Sequence, residues 1–215
     1  MLGLTPADLI ARIVVLVVAF TVHEFAHAFV ADRFGDDTPR RQGRLTLNPL
    51  VHLDPLGSLL LVLAGFGWAR PVEINPDALG RRSPAAPMLV ALAGPASNLL
   101  LAGLAALPIR FGLVDLATFQ TGNDILPSIP YLLTVFILLN LVLMLFNLIP
   151  IFPLDGEKVL HFFLPPSGKA FMENIRPYGS LILLAVIFLL PSAGIDVLNR
   201  VIFEPAFSIF VLLVG

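Results

Sequence analysis

Thr21-Val22-His23-Glu24-Phe25-Ala26-His27 is the stretch that decides the fold, because it places three ionisable side chains inside a long hydrophobic run. From Ile10 to Phe20 the chain is apolar except for Arg12, and after His27 it is apolar again until charge resumes at Asp32. Residues 9–31 are therefore long enough to cross a bilayer as one helix, which needs about 20 apolar residues. Ionisable groups are costly inside such a helix, so their presence indicates a functional site.

The two histidines of this stretch are spaced for metal binding. His23 and His27 are four residues apart, so on a helix they share one face, one turn apart. Glu24 lies about 100° around the helix from His23, where it can hold a water molecule and take its proton. This pattern is typical of zinc hydrolases and predicts one Zn²⁺ per chain.

The composition places the chain in a membrane. Of its 215 residues, 57% are hydrophobic and only 13% are charged, whereas globular domains are about 25% charged. The chain has no cysteine, which excludes a thiolate metal site and leaves His, Asp and Glu as ligands. Its Lys and Arg residues are scattered over short loops, which argues against nucleic-acid binding. Membrane lipid is the expected surrounding.

The hydrophobic profile predicts an all-α polytopic membrane protein, a bundle of about five to six transmembrane helices. The predicted spans are 9–31, 85–107, 129–149, 178–190 and 201–214. The last two are short. We treat 1–215 as a single membrane-embedded metalloprotease domain, with a catalytic core at about 9–160 and C-terminal helices at 178–214.

Two smaller features are expected between the first two full spans. Leu56–Trp68 is apolar but, at about 13 residues, too short to cross, so it is predicted to be a re-entrant segment. Arg44–Leu47 and Val72–Ile74 look extended and are predicted to form a small β-hairpin or sheet.

The distribution of positive charge predicts the orientation, because cytoplasmic loops are enriched in Lys and Arg. If Leu56–Trp68 does not cross, the loops on one side carry ten such residues and those on the other side carry three. The ten are Arg33, Arg40, Arg41, Arg44, Arg70, Arg81, Arg82, Lys158, Lys169 and Arg176; the three are Arg12, Arg110 and Arg200. The chain is thus predicted to be a multi-pass cell-membrane protein with its amino terminus outside and its site near the cytoplasmic side.

The same topology identifies a third metal ligand. A catalytic zinc usually has three protein ligands and keeps its fourth position open. The third predicted span ends on the side where His23 and His27 lie, and Asp155 follows just beyond that end. Zn²⁺ with two neutral histidines, ionised Asp155 and ionised Glu24 has no net charge, which suits a membrane. If Leu56–Trp68 crossed fully, Asp155 would emerge on the opposite face.

These motifs resemble those of the site-2 proteases, the intramembrane zinc metalloproteases of peptidase family M50, in their compact prokaryotic form. His23–His27 is similar to the family's HExxH motif, and Asn147–Gly156 to its Asn-Pro-Asp-Gly motif, whose Asp is the third ligand. Gly94–Asn98 resembles the small-residue and Asn motif of the intervening helix. The resemblance also covers His52–Gly57 and Gly67–Val72, so it extends from about residue 9 to about 160.

The resemblance implies a zinc-dependent intramembrane endopeptidase that cuts in or near the transmembrane helix of a protein substrate, as in regulated intramembrane proteolysis. It implies Glu24 as the general base. Asn98, polar at membrane depth, is expected to donate to the substrate backbone or the developing oxyanion. The chain departs from the family at Glu157-Lys158, where a Gly-Arg pair is common, and shows no PDZ or CBS module.

Other interpretations remain open at this stage. A membrane metal-ion transporter could use the same ligands, and a pseudoprotease would bind zinc without cutting. Asn98 could instead join helices, and Asn147 could cap its helix, orient Asp155 or contact the substrate. His52 and His161 are interpreted as structural or interfacial residues. The sequence predicts neither the oligomeric state nor the identity of the substrate.

Overall fold

The computed structural model describes residues 5–57, 60, 68–118 and 125–215 and consists of helices joined by irregular loops. The α-helices are α1 Pro6–Arg33, α2 Thr38–Arg41, α3 Pro49–His52, α4 Pro76–Arg82, α5 Ala86–Arg110, α6 Ile129–Asn147, α7 Asp155–Phe163, α8 Pro166–Ile175, α9 Gly179–Leu184, α10 Leu190–Ser192 and α11 Glu204–Val214. Short 3₁₀ turns lie at Leu116–Thr118 and Arg176–Tyr178, and π-helical turns at Ala185–Leu189 and Asn199–Phe203.

Four helices of the described chain are long and apolar enough to cross a membrane. They are Pro6–Arg33, Ala86–Arg110, Ile129–Asn147 and the continuous stretch Pro166–Ser192. The first three agree with the predicted spans. The predicted last span, 201–214, is not among the four; it lies in the π-helical turn Asn199–Phe203 and the α11 helix that follows it.

Helices α1 and α6 run parallel, and their first turns are joined. A capping box starts α1: Thr5 Oγ1 accepts from the Asp8 amide at 3.2 Å, and the Asp8 carboxylate accepts from the Thr5 amide at 2.9 Å. Ser128 caps α6 by accepting from the Tyr131 amide. The Tyr131 hydroxyl donates to Asp8. Because both helices begin at the same end of the bundle, both also end on the same side.

Helix α5 packs against both α1 and α6 through small side chains. Ala19 and Ala28 on α1 and Ala102 on α5 are fully buried, and Ala106 is almost so. Small residues let membrane helices approach closely, so that dispersion contacts hold the bundle together where no hydrophobic effect operates between helices. Ala206 and Phe210 of α11 join the same core near the carboxyl-terminal end of α5.

The two ends of the predicted re-entrant segment lie side by side. Leu53 and Ala69 form an isolated antiparallel bridge, and the Arg70 amide donates to the His52 carbonyl at 2.7 Å. Gly57 is packed so tightly on the Trp68 backbone that a Cβ would overlap it. Most of this segment, residues 58, 59 and 61–67, lies outside the described residues, and its re-entrant path stays a prediction. Adjacent ends are what a segment that returns to its starting side would show. The prediction of Asp155 as a ligand depends on that return.

The predicted β-hairpin is not formed in the described part of the chain. Arg44–Leu47 and Val72–Ile74 are both irregular, and the Leu53–Ala69 bridge is the nearest approach to a sheet. One reason is that side chains bond backbone groups of both segments. The Val72 amide donates to Glu24 Oε2 at 3.0 Å, and the Thr46 carbonyl oxygen lies 2.8 Å from His52 Nε2.

Candidate metal centre

Three side chains converge at the carboxyl-terminal end of α1. His23 Nε2 lies 3.0 Å from His27 Nε2, and each of these nitrogens lies 3.2 Å from Asp155 Oδ2. All three residues are buried. Ligand atoms around a tetrahedral Zn²⁺ lie about 3.3 Å apart, because the bonds are about 2.0–2.1 Å long. The observed spacing fits such an ion.

The hydrogen bonds around the histidines leave both Nε2 atoms as lone-pair donors. His23 Nδ1 lies 2.6 Å from Asn98 Oδ1, and His27 Nδ1 lies 2.7 Å from the Val90 carbonyl oxygen. Since both partners can only accept, each Nδ1 carries the proton. Asp155 Oδ2 is buried without a hydrogen-bond partner. Three facing lone pairs with no hydrogen between them repel one another, and a cation is the group that satisfies them.

Gly94 makes room for this cluster on the facing helix. A Cβ on Gly94 would lie 2.5 Å from His23 Nε2 and 2.6 Å from His23 Cε1, and it would also overlap His27 Nε2. Any side chain there would fill the space between the ligands. The absence of a side chain at this point of α5 is therefore a further indication that the space belongs to a bound ion.

Asp155 is the first residue of α7, and its loop is tightly held. A Cβ on Gly156 would overlap the carbonyls of Leu148 and Ile149, so α7 starts directly against the end of α6. Lys158 Nζ lies 3.8 Å from Asp155 Oδ1, the oxygen that faces away from the histidines.

Glu24 is buried beside the ligands and is contacted by the loop that precedes α4. Its Oε2 accepts a hydrogen bond of 3.0 Å from the Val72 amide. Arg44 holds the same loop by donating to the carbonyls of Arg70 and Pro71. Arg44 is counted above among the loop charges that predict orientation. In the structure its guanidinium is buried and joins two loops through hydrogen bonds.

Asn98 lies between the metal centre and α6, and its predicted donation to a substrate stays a prediction. It is fully buried. Its Oδ1 is bonded to His23, and its Nδ2 donates to Asn140 Oδ1 at 2.9 Å. Both amide atoms are thus engaged within the protein, and Asn98 connects His23 on α1 with Asn140 on α6. These contacts agree with the alternative that Asn98 joins helices.

Asn147 lies at the end of α6, where its Nδ2 donates to the Leu143 carbonyl at 3.0 Å on its own helix. This bond does not cap the helix end, and it does not involve a metal ligand.

The two remaining histidines lie outside the metal centre. His52 is fully buried, with Nε2 at 2.8 Å from the Thr46 carbonyl oxygen, which agrees with its interpretation as a structural residue. His161 lies 3.6 Å from Glu173 near the surface.

The sequence reading missed Asn140, the Val90 carbonyl and the steric role of Gly94. Asn140 had a usable signal, since it is a polar amide in the middle of an otherwise apolar span, where such groups are rare. The Val90 carbonyl had no sequence signal, because every residue carries one. The Gly94 role becomes visible only when α1 and α5 are placed against each other.

Comparison with known proteins agrees with this geometry. The family model described as Peptidase family M50 matches residues 110–190. The chain is 46% identical over 183 residues to the candidate zinc metalloprotease YwhC of Bacillus subtilis, covering 83% of this chain and 80% of that protein. It is 34% identical over 196 residues to the candidate zinc metalloprotease Rip2 of Mycolicibacterium smegmatis, covering 88% and 68%. Rip2 of Mycobacterium tuberculosis is 33% identical over 180 residues, covering 81% and 65%.

No solved structure matches this chain significantly. Three findings lead to one conclusion. The identity to YwhC extends over most of both chains, the family match contains Asp155, and His23, His27 and Asp155 converge in the structure. The chain belongs to peptidase family M50 and is a membrane-embedded zinc metalloendopeptidase.

Proposed function

We propose that this protein is an intramembrane endopeptidase that hydrolyses a peptide bond in or near the transmembrane segment of another membrane protein. The observation that carries the proposal is the position of the site. His23, Glu24 and His27 are buried in a 28-residue helix that is apolar enough to span. A site at that depth is accessible chiefly to chains that lie in the membrane themselves.

Under this proposal His23 and His27 hold the zinc through Nε2, and Asp155 holds it through Oδ2. Zinc in such a site lowers the pKa of a water molecule towards about 7 and polarises a carbonyl group. The fixed protons on both Nδ1 atoms keep the two rings oriented toward the ion. The ionised Asp155 compensates part of its charge, which reduces the cost of burying it.

Glu24 is the general base in the proposed mechanism. Its carboxylate removes a proton from water as the water oxygen forms a bond to the substrate carbonyl carbon. It then delivers that proton to the amide nitrogen as the carbon–nitrogen bond breaks. In the present structure the Val72 amide donates to Glu24 Oε2, so this carboxylate is already oriented by a backbone group.

The substrate must unwind before it is cut. A helix in lipid satisfies its own N–H and C=O groups, and a hydrogen-bonded carbonyl is shielded from attack. The loop that contains Val72 reaches Glu24, so an unwound substrate segment would pass beside this loop. We infer a single-pass membrane protein as substrate, and regulated intramembrane proteolysis as the process.

We further propose that the site lies near the cytoplasmic side and that the amino terminus is outside. The Asp8–Tyr131 bond supports this topology because it places the first turns of α1 and α6 at one end and the ligands toward the other. The loops on the ligand side carry most of the Lys and Arg residues, as cytoplasmic loops do. Labelling of a single cysteine introduced at Leu113, an exposed residue just after α5, in intact and in opened cells, tests the assignment. Labelling of intact cells is expected.

The decisive experiment compares wild type with Glu24→Gln in detergent, using a single-pass membrane protein as substrate. Because Glu24 is not a ligand in this proposal, the variant is expected to retain its zinc and lose cleavage by about 10²–10⁴-fold, the usual contribution of a general base. Glu173→Gln is the matched control, since Glu173 is exposed and remote from the ligands. Cleavage that survives in Glu24→Gln would exclude this role. A wild type that binds zinc but cuts no substrate would favour the non-catalytic interpretation.

A further inference from the structure

A chain of buried amide groups connects α6 to the metal centre. The Asn140 side chain donates through Nδ2 to the Phe136 carbonyl at 2.9 Å and accepts at Oδ1 from Asn98 Nδ2, also at 2.9 Å. Asn98 Oδ1 in turn lies 2.6 Å from His23 Nδ1. Both asparagines are fully buried. The chain thus spans three helices without contact with solvent.

The direction of every bond in this chain follows from its far end. A backbone carbonyl can only accept, so Phe136 requires Asn140 to turn its NH₂ group toward it. Asn140 then presents Oδ1 to Asn98, and this oxygen can only accept as well. Asn98 must therefore turn its own NH₂ group toward Asn140 and its Oδ1 toward His23, which places the His23 proton on Nδ1.

We propose that Asn140 is a positioning residue for the metal centre. Acting through Asn98, it holds His23 in the tautomer whose Nε2 lone pair is free for the ion. This inference rests on the proposed zinc-binding role of His23. It assigns a function to a residue that touches neither the ion nor the substrate.

Loss of the Asn140 acceptor would release this constraint. The Asn98 amide could then rotate by about 180° and present its NH₂ group to His23 Nδ1, since the two orientations of an amide have nearly the same shape. That orientation favours a proton on Nε2, where it blocks the metal. Outer partners of metal-bound histidines typically contribute about 10–100-fold to metal affinity.

The test is a metal titration of the full chain in detergent. Co²⁺ binding is followed by its visible absorption, and Zn²⁺ affinity by competition with a chelator. Asn140→Leu removes the acceptor at similar volume and is expected to weaken Zn²⁺ binding by about 10–100-fold. Asn140→Asp is expected to restore most of the affinity, because a buried neutral carboxylic acid supplies one acceptor and one donor, as the amide does. Asn140→Ala serves if the leucine variant does not fold.

Thr134→Val is the matched control. Thr134 also bonds a carbonyl four residues back on α6, that of Pro130 at 2.8 Å, but it has no connection to Asn98. We expect this variant to bind Zn²⁺ like wild type. The effect of Asn140→Leu should also vanish in an Asn98→Leu background, because Asn140 acts only through Asn98. A general loss of packing would not show this dependence.

Wild-type affinity in both Asn140→Leu and Asn140→Ala would overturn the inference. It would also be overturned if Asn140→Asp bound as weakly as Asn140→Leu, or if the loss were equal in the Asn98→Leu background. Binding that His23→Ala abolishes is binding at this site. A wild type that bound neither Co²⁺ nor Zn²⁺ in this way would overturn the proposed metal centre itself.

Discussion

Asp155 Oδ2 lies 3.2 Å from His27 Nε2, although one residue starts α7 and the other lies in α1. Two features of the bundle bring them together. Helices α1 and α6 run parallel, as the bond between Tyr131 and Asp8 shows. The turn after α6 is short and is packed against the start of α7 at Gly156. The metal centre therefore follows from the parallel direction of α1 and α6 and from the short turn between α6 and α7.

Replacement of Asp155 by Ala is expected to abolish stable zinc binding. The variant removes the single anionic ligand and leaves two histidines, which do not complete a zinc site. We expect an affinity loss larger than the roughly 100-fold limit typical of outer partners. Metal analysis of the purified protein after dialysis provides the measurement. Asp77→Ala is the control, because Asp77 is exposed in α4, and full zinc retention in Asp155→Ala would remove Asp155 from the ligand set.

Gly94 and Gly103 provide a matched pair of substitutions on one helix. A Cβ at position 94 would overlap both ligand rings, whereas a Cβ at position 103 meets nothing within 4 Å. Gly94→Ala is thus expected to displace His23 and His27 and to weaken zinc binding. Gly103→Ala should leave zinc binding unchanged and stabilise the helix by about 0.5–1 kcal/mol. Parallel zinc titrations and thermal unfolding in detergent distinguish the two, and equal zinc affinity would show that Gly94 is not needed for the site.

The sequence sufficed for those parts of the site that depend on spacing and on helix parity. His23 and His27 follow from a four-residue spacing, and the position of Asp155 follows from counting crossings. Three of the predicted spans also agree with α1, α5 and α6, because long apolar runs in a membrane have few other options than a helix.

Polar loops and amide orientations were beyond this reasoning. Arg44 has the sequence context of an exposed loop charge, yet it is buried against three carbonyls. The predicted sheet failed where Glu24 and His52 bond backbone groups of the two segments, because short alternating segments do not reveal which side chain will bond their backbone groups. Asn98 was correctly placed near the site, but its hydrogen bond to Asn140 was not predicted, because Asn140 lies on another helix.

Arg44→Met is expected to destabilise the protein by about 2–3 kcal/mol, because it leaves buried carbonyls without their charged donor. The carbonyls concerned are those of Val51, Arg70 and Pro71. Arg41→Met is the control, since Arg41 pairs with Asp37 on the surface, where an ion pair contributes about 0–1 kcal/mol. Thermal unfolding in detergent is the measurement. A similarly small loss of stability in both variants would show that the Arg44 hydrogen bonds do not stabilise the two loops.

The pair of Glu157 and Arg176 connects the Asp155 loop to the C-terminal helices. The Glu157 carboxylate is buried and lies 3.2 Å from Arg176, whose guanidinium also stacks over Phe152. Arg176→Met leaves a buried carboxylate unpaired and is expected to cost about 1–3 kcal/mol, less than for a fully buried pair because Arg176 is half exposed.

The double variant Glu157→Met/Arg176→Met is expected to recover most of that stability, because an apolar pair of similar volume can replace a buried ion pair. Thermal unfolding of the four proteins of this cycle gives the coupling between the two residues. Zinc affinity measured on the same proteins shows whether the pair also holds Asp155 in place. Independent, additive effects of the two substitutions would mean that Glu157 and Arg176 are neighbours without a shared role, and that the C-terminal helices do not support the metal centre through this contact.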